Sequence, residues 1–422
     1  MKITDIRAKI AEGALSSFGI YADPTAASER YDLALSKFEE LYGKNREVFV
    51  LSVPGRSELL GNHTDHNNGR VLAGAIDRDI IAVAAIRDDG TVSLKSEGYD
   101  ADVVDLVHSG DPLAFDDFSS SALIAGVANG FEKRGYKVGG FDAYTTSDVL
   151  KGSGISSSAA YEVMIGNILN HLYNGGAVEN TEIAKIAQYA ENVYFGKPSG
   201  LMDQMACAVG GFVYIDFENK SEPKIEPVSL SLKSFGYELC IVNTGGNHAD
   251  LNDDYASVPA EMRAVAACLG REVLSGTTEC ELIANAGRIR AACGDRALLR
   301  ALHFVRENLR VDAGRDALIK KDVESFFCAV KASGHSSFEY LQNVYTNKNV
   351  EEQGLSLALA ITDGFGDGVG AHRVHGGGFA GTIQAYVKCE RADEYVRLMD
   401  SVFGEGAVMR LNVRPLGAIR IF

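Results

Sequence analysis

The strongest constraint on this chain is a run of small residues set directly before a long apolar helical pattern. Residues 152–160 read Gly-Ser-Gly-Ile-Ser-Ser-Ser-Ala-Ala, and Met164, Ile165, Ile168, Leu169 and Leu172 then recur at helical spacing. This predicts a helix over 155–172. Small residues at a helix start let backbone amides approach an anion, and the helix end adds positive potential there. Gly152, Ser153, Gly154, Ser156, Ser157 and Ser158 are therefore candidates for cradling phosphate oxygens. The hydroxyls of Ser156 to Ser158 can also help hold a magnesium ion, or simply cap the helix after a turn. No Lys-Ser or Lys-Thr pair follows the glycines, so the run is not a Walker A loop.

Three further clusters concentrate chemistry. Residues 54–69 crowd Arg56, Glu58, Asn62, His63, Asp65 and His66 around glycines just after a strand pattern at 48–53. Such density suits paired donors and acceptors for a polyhydroxylated ligand, or else a polar turn bonding to itself. His63 and His66 alone are weak grounds for zinc. The second cluster, Glu191 to Gln204, carries Asp203 in an apolar stretch. A carboxylate there must be paired or hydrogen-bonded, as a structural acid or a catalytic one. The third, His375 to Gly381, holds three consecutive glycines that permit close backbone approach.

At 422 residues the chain exceeds one ordinary core. Strand and helix patterns mix without regular βαβ alternation, which predicts an α+β protein of two domains. The polar stretch 219–228 marks the expected boundary, giving an N-terminal extension at 1–28 and domains at 29–222 and 223–422. Asp88-Asp89-Gly90, between apolar runs at 80–86 and 91–94, predicts a hairpin. The net charge of −16 opposes binding to nucleic acid or anionic lipid. Seven cysteines without a CxxC pair argue against a disulfide framework. No stretch has the length and apolarity of a membrane span or a secretory signal, so the expectation is a cytoplasmic protein, monomeric or weakly self-associating.

In order and spacing, these clusters resemble the galactokinase branch of the small-molecule kinase superfamily that includes homoserine, mevalonate and phosphomevalonate kinases. That branch's signature, Gly-Arg-x-Asn-Leu-Ile-Gly-Glu-His-Thr-Asp-Tyr-Asn, is similar to residues 55–67, and its Gly-Ile-Met-Asp-Gln element to residues 200–204. Its phosphate loop resembles 152–160 and its glycine-rich third motif 376–381. The resemblance implies a two-domain kinase fold with ATP and sugar bound in the cleft between the domains. It implies Asp203 as the catalytic aspartate and Arg56 as the arginine beside it. Glu191, with Ser157 or Ser158 as its serine partner, would hold Mg2+, and Asn62, His63, Asp65, Gly200 and Tyr255 would contact the sugar.

Departures bear on the sugar. Asn62 stands where the pattern has glutamate, Glu58 where it has asparagine, and His66 where it has tyrosine. An amide donates and accepts without charge, whereas a carboxylate only accepts. The expected activity is transfer of the ATP γ-phosphoryl group to the anomeric hydroxyl of galactose or a closely related sugar. The alternatives are a sugar altered at C6 (galacturonate or L-arabinose) and a sugar- and ATP-binding sensor without turnover. Retention of Arg56, Glu191 and Asp203 separates an enzyme from a pure sensor.

Overall fold

Two long strands, β1 (Phe49–Leu60) and β2 (Arg70–Ile86), are buried along almost their whole length and give most of their residues to the first of two compact units. That unit comprises Met1–Arg56, Ala75–Gly211 and Arg414–Phe422; the second comprises Ser57–Gly74 and Phe212–Val413. The division falls within β1 and β2, and each unit is assembled from separated segments where the sequence suggests one cut near 222. The computed structural model describes the chain except for residues 150–153, 198, 220–221, 229 and 247–250, and the Asn252 side chain. Two expected phosphate-loop residues, Gly152 and Ser153, therefore lie outside the described residues.

In the first unit β3 (Thr91–Ser96), β4 (Ala101–Asp105) and β5 (Phe141–Ser147) extend the sheet, with a short C-terminal strand, Ile419–Arg420, beside β1. The expected hairpin between 80–86 and 91–94 does not form. Antiparallel to β2 and parallel to β3, β5 lies between them. Residues 141–146 are all buried, which suits a central strand flanked on both sides. Nor does Pro54 end β1, which runs on through Pro54 and Gly55. Gly55 allows this course, because a Cβ there would come within 2.7 Å of the Ile155 carbonyl oxygen.

Helices α1 (Ile3–Ala11) and α2 (Pro24–Tyr42) supply Ile3, Ile6, Ile10, Tyr31, Leu35 and Phe38 to one buried cluster. It also contains Val50, Ile81, Val83 and Tyr144 from the sheet. Asp23 caps α2 by accepting from the Thr25 and Ala26 amides, with Pro24 at the first helical position. Residues 1–28 thus supply part of this unit's core. The intervening positions Leu51, Val53, Ala82 and Ala84 are equally buried and point to the other face. The remaining helices, α3 (Ser120–Lys133), α4 (Ser157–Tyr173), α5 (Asn180–Val193) and α6 (Met202–Val209), pack on one another.

In the second unit β6 (Phe212–Asp216) pairs with the start of β2 and with β7 (Lys224–Val228). A separate antiparallel sheet contains β8 (Tyr237–Asn243), β9 (Val369–His375), β10 (Thr382–Lys388) and β11 (Val408–Leu411). Between β8 and β9 run α7 (Asn252–Cys268), α8 (Glu279–Ala284), α9 (Ala286–Cys293), α10 (Asp295–Ile319), α11 (Val323–Ser336) and α12 (Gly354–Gly364); α13 (Ala392–Phe403) follows β10. The mixture of helices with largely antiparallel sheets is the α+β class. Among the described residues no helix is long and apolar enough to cross a membrane.

Candidate active site

The first unit concentrates charge where β1, the turn before α4 and the start of α6 meet. Arg56 is 7% exposed and grips Asp203 with a fork, Nε to Oδ1 at 2.7 Å and Nη2 to Oδ2 at 3.0 Å. Its remaining Nη1 donates to the Gly154 carbonyl at 2.6 Å, and its backbone N–H to the Ile155 carbonyl. Ser156 has the left-handed φ of +60°, and its Oγ donates to Asp203 Oδ2 at 2.5 Å. Asp203 also occupies the first turn of α6, where a negative charge is favoured. Burial opposes ionisation of Asp203. The Arg56 charge and the bonds from Arg56 and Ser156 outweigh it, holding the carboxyl below the ordinary aspartate range.

Adjacent to this fork is a second oxygen cluster. Ser158, in the first turn of α4, donates to Glu191 Oε1 at 3.2 Å, and Lys197 Nζ meets the same oxygen at 2.7 Å. Glu191 Oε2 accepts from Ser199 Oγ at 2.5 Å and Gln204 Nε2 at 2.7 Å. Gln204 also donates to Glu162 at 3.0 Å. Burial, then the neighbouring Glu191 charge, pushes the Glu162 carboxyl well up. A hydroxyl and a carboxylate form a hard-oxygen donor set that fits Mg2+, an ion usually completed by substrate phosphates and water. Among the described residues no group of three or more His, Cys, Asp or Glu is placed to hold a metal by itself.

The second unit carries Asn62, His63, Asp65 and Tyr255. Gly61, with φ +101°, turns the chain out of β1, and a Cβ there would come within 2.6 Å of the Arg70 carbonyl oxygen. His63 follows in the left-handed region and donates from Nε2 to the Gly377 carbonyl at 2.9 Å. Burial and the neighbouring His66 push His63 down to about 4, so it is neutral near pH 7. Tyr255 OH donates to the Gly378 carbonyl at 2.6 Å. At Gly378, with φ +83°, a Cβ would run into the Asn343 carbonyl oxygen, which accounts for glycine there. Asp65 accepts from the His66 amide at 3.0 Å. Asn62 is fully buried, and its side chain bonds Glu58, Gly376 and Asn343.

Of the residues singled out by sequence, Arg56, Gly154, Ser156 and Asp203 come together in the first unit, as do Ser158 and Glu191. Ser157 opens α4, and Gly200 stands just before α6. Asn62, His63 and Tyr255 all bond the 376–378 turn in the second unit. Sequence reasoning gave no role to Lys197 or Gln204, although both lie within the conspicuous 191–204 string. Arg373, Asn343 and His303 carried no local signal, because only the fold brings them to the 58–63 segment.

Two family models match. One, described as the galactokinase galactose-binding signature, covers residues 36–86; the other, the GHMP kinases N terminal domain, covers residues 119–211. A galactokinase from Streptomyces coelicolor is 32% identical over 372 residues, which is 87% of this chain and 91% of the relative. One from Limosilactobacillus reuteri is 29% identical, over 87% and 93% respectively. The crystal structure of Lactococcus lactis galactokinase complexed with galactose superposes with a TM-score of 0.78 at 26% identity, covering 92% of this chain and 99% of that one. A mevalonate kinase shares the fold, with a TM-score of 0.60 at 17% identity. From the 32% identity sustained across seven-eighths of its length, the chain belongs to the galactokinase family.

Proposed function

We propose that this sugar kinase transfers the γ-phosphoryl group of ATP to the anomeric hydroxyl of galactose. The observation that carries the reading is the bidentate Arg56–Asp203 pair beside the Ser158–Glu191 cluster. Phosphoryl transfer demands positioning and charge neutralisation more than covalent chemistry. An ionised carboxylate, a fixed guanidinium and a magnesium-compatible oxygen pair meet those needs. A pure sensor need not keep the Arg56–Asp203 fork.

Held below the ordinary range, Asp203 is a weak base. Its first task is to accept a hydrogen bond from the sugar hydroxyl and aim the oxygen. As the new O–P bond forms, the hydroxyl proton passes to an Asp203 oxygen. The bond from γ-phosphorus to the bridging oxygen breaks, and ADP leaves with that oxygen. Arg56 keeps Asp203 ionised and adds positive charge beside the reacting groups. Ser158 and Glu191 would hold Mg2+, which neutralises phosphate charge when bound. Backbone amides at the start of α4 are suited to phosphate oxygens. His63, Asp65, Gly200 and Tyr255 are the candidates for contact with the sugar.

The test is ADP release from ATP and Mg2+ across galactose, galacturonate, L-arabinose, galactosamine, N-acetylgalactosamine and glucose, with Asp203→Asn as blank. Turnover greatest with galactose supports the reading. Turnover confined to a sugar altered at C6 would replace galactose with that sugar, and silence across the panel would refute kinase activity on this sugar class.

A further inference from the structure

Positions 58 and 62 are exchanged relative to the pattern this stretch resembles: asparagine then glutamate there, Glu58 then Asn62 here. In the second unit the exchanged side chains touch. Asn62 Nδ2 donates to Glu58 Oε1 at 3.0 Å, and Arg373 Nη2 donates to the same oxygen at 3.0 Å. All three side chains are buried. The other Asn62 N–H bond goes to the Gly376 carbonyl at 2.7 Å, while Oδ1 accepts from Asn343 Nδ2 at 2.7 Å and Ser337 Oγ at 3.4 Å. A primary amide offers two donors and one oxygen with two lone pairs. Every one of those capacities is taken by protein, so no polar group of the Asn62 side chain is left for a ligand.

We infer that Asn62 is a positioning residue, coupled to Glu58, that sets sugar affinity by fixing the His63 turn against the 376–378 turn. The inference rests on the reading that the His63 segment binds the sugar. The carboxylate has moved to position 58, where Arg373 neutralises it, and the amide at 62 ties two turns together. A carboxylate at 62 with Glu58 still present would set two negative charges around one guanidinium, whose Nη1 is already committed to the Leu59 carbonyl. It would also face the Gly376 carbonyl with an acceptor in place of a donor. Changing both positions removes the charge conflict.

The experiment is a cycle of wild type, Glu58→Asn, Asn62→Glu and the double variant, with Asn62→Ala as a smaller perturbation. Galactose KM, ATP KM, kcat and melting temperature are measured for each. Asn62→Glu is expected to raise the galactose KM roughly tenfold or more, the scale of a broken buried charged hydrogen bond. ATP KM should stay within about twofold, and the double variant should recover part of that loss, because the charge conflict is gone while the Gly376 carbonyl still faces an acceptor. Asn62→Ala should raise the galactose KM while changing ATP KM little. An unchanged or lower galactose KM in Asn62→Glu, or in Asn62→Ala should the former not fold, would overturn the proposal. So would a double variant no better than Asn62→Glu. If wild type turns over no sugar, the underlying reading fails instead, and the coupling is read from melting temperatures. A double variant melting several degrees above Asn62→Glu then supports the coupled pair, and equal melting contradicts it.

Discussion

Arg56 holds both carboxylate oxygens of Asp203, and Ser156 adds a third bond to one of them. Two residues 147 positions apart are thereby locked as one unit, with the acid kept ionised in a buried setting. Lysine provides a point charge and no planar fork. Arg56→Lys should therefore lower kcat by about a hundredfold or more, on the scale of losing one donor to the developing charge. It should also shift the acid limb of the pH–rate profile upward, because Asp203 loses the partner that depresses its pKa. The sign for stability follows from the same shift. A folded value below the unfolded one, about 3.9, adds stability above that pH and loses it as pH falls through the lower folded value. An acid limb that stays fixed in Arg56→Lys would separate Arg56 from the ionisation of Asp203.

The left-handed φ of Ser156 predicts different results for two small substitutions. Both Ser156→Gly and Ser156→Ala remove the bond to Asp203, so their activities should fall together. Glycine accepts that backbone and alanine does not, so Ser156→Ala should be the less stable by about 1 kcal/mol. Urea unfolding of the two variants checks this. Equal stabilities would mean the turn relaxes when the side chain changes.

Replacing Glu191 by Gln removes the negative charge from the Ser158 cluster while keeping a similar shape. The Mg2+ concentration for half-maximal rate should rise about ten- to a hundredfold, as for a disturbed metal site. Titration with Mn2+ in the presence of ATP should show the same weakening by direct binding. An unaltered metal requirement would leave Glu191 as a structural acid.

The amino-terminal helix contributes to the core and to no part of the candidate site. Ile6 is fully buried against α2 and the sheet. Ile6→Ala should cost about 2–5 kcal/mol, lowering the melting temperature while leaving kcat nearly unchanged. A fall in kcat at temperatures where the variant is fully folded would contradict the division between core and site.

The site was legible where its chemistry is local. The serine-rich run, the 191–204 string and the 54–69 cluster each announce themselves by composition, and the helix expected at 155–172 forms at Ser157–Tyr173. What stayed hidden depends on pairing across long separations. The turn residues at 88–90 suggest a hairpin, yet β5, more than 50 positions later, enters between β2 and β3. Pro54 looked like a strand end because it lacks an N–H donor, but the strand continues through it. Asn62 reads as a ligand-facing amide in the linear motif. Only the arrival of Gly376, Asn343 and Ser337 from distant segments reveals that its side chain is fully committed.

The most direct measurement of the central claim is the phosphorus-31 spectrum of the product formed from ATP, Mg2+ and galactose, compared between wild type and Asp203→Asn. Wild type should give a phosphate ester coupled to the anomeric proton. With Asp203→Asn that signal should grow more slowly by a factor of about 10² to 10⁴, while ATP binding changes little. An ester on another carbon, inorganic phosphate alone, or equal product from both proteins would contradict the account.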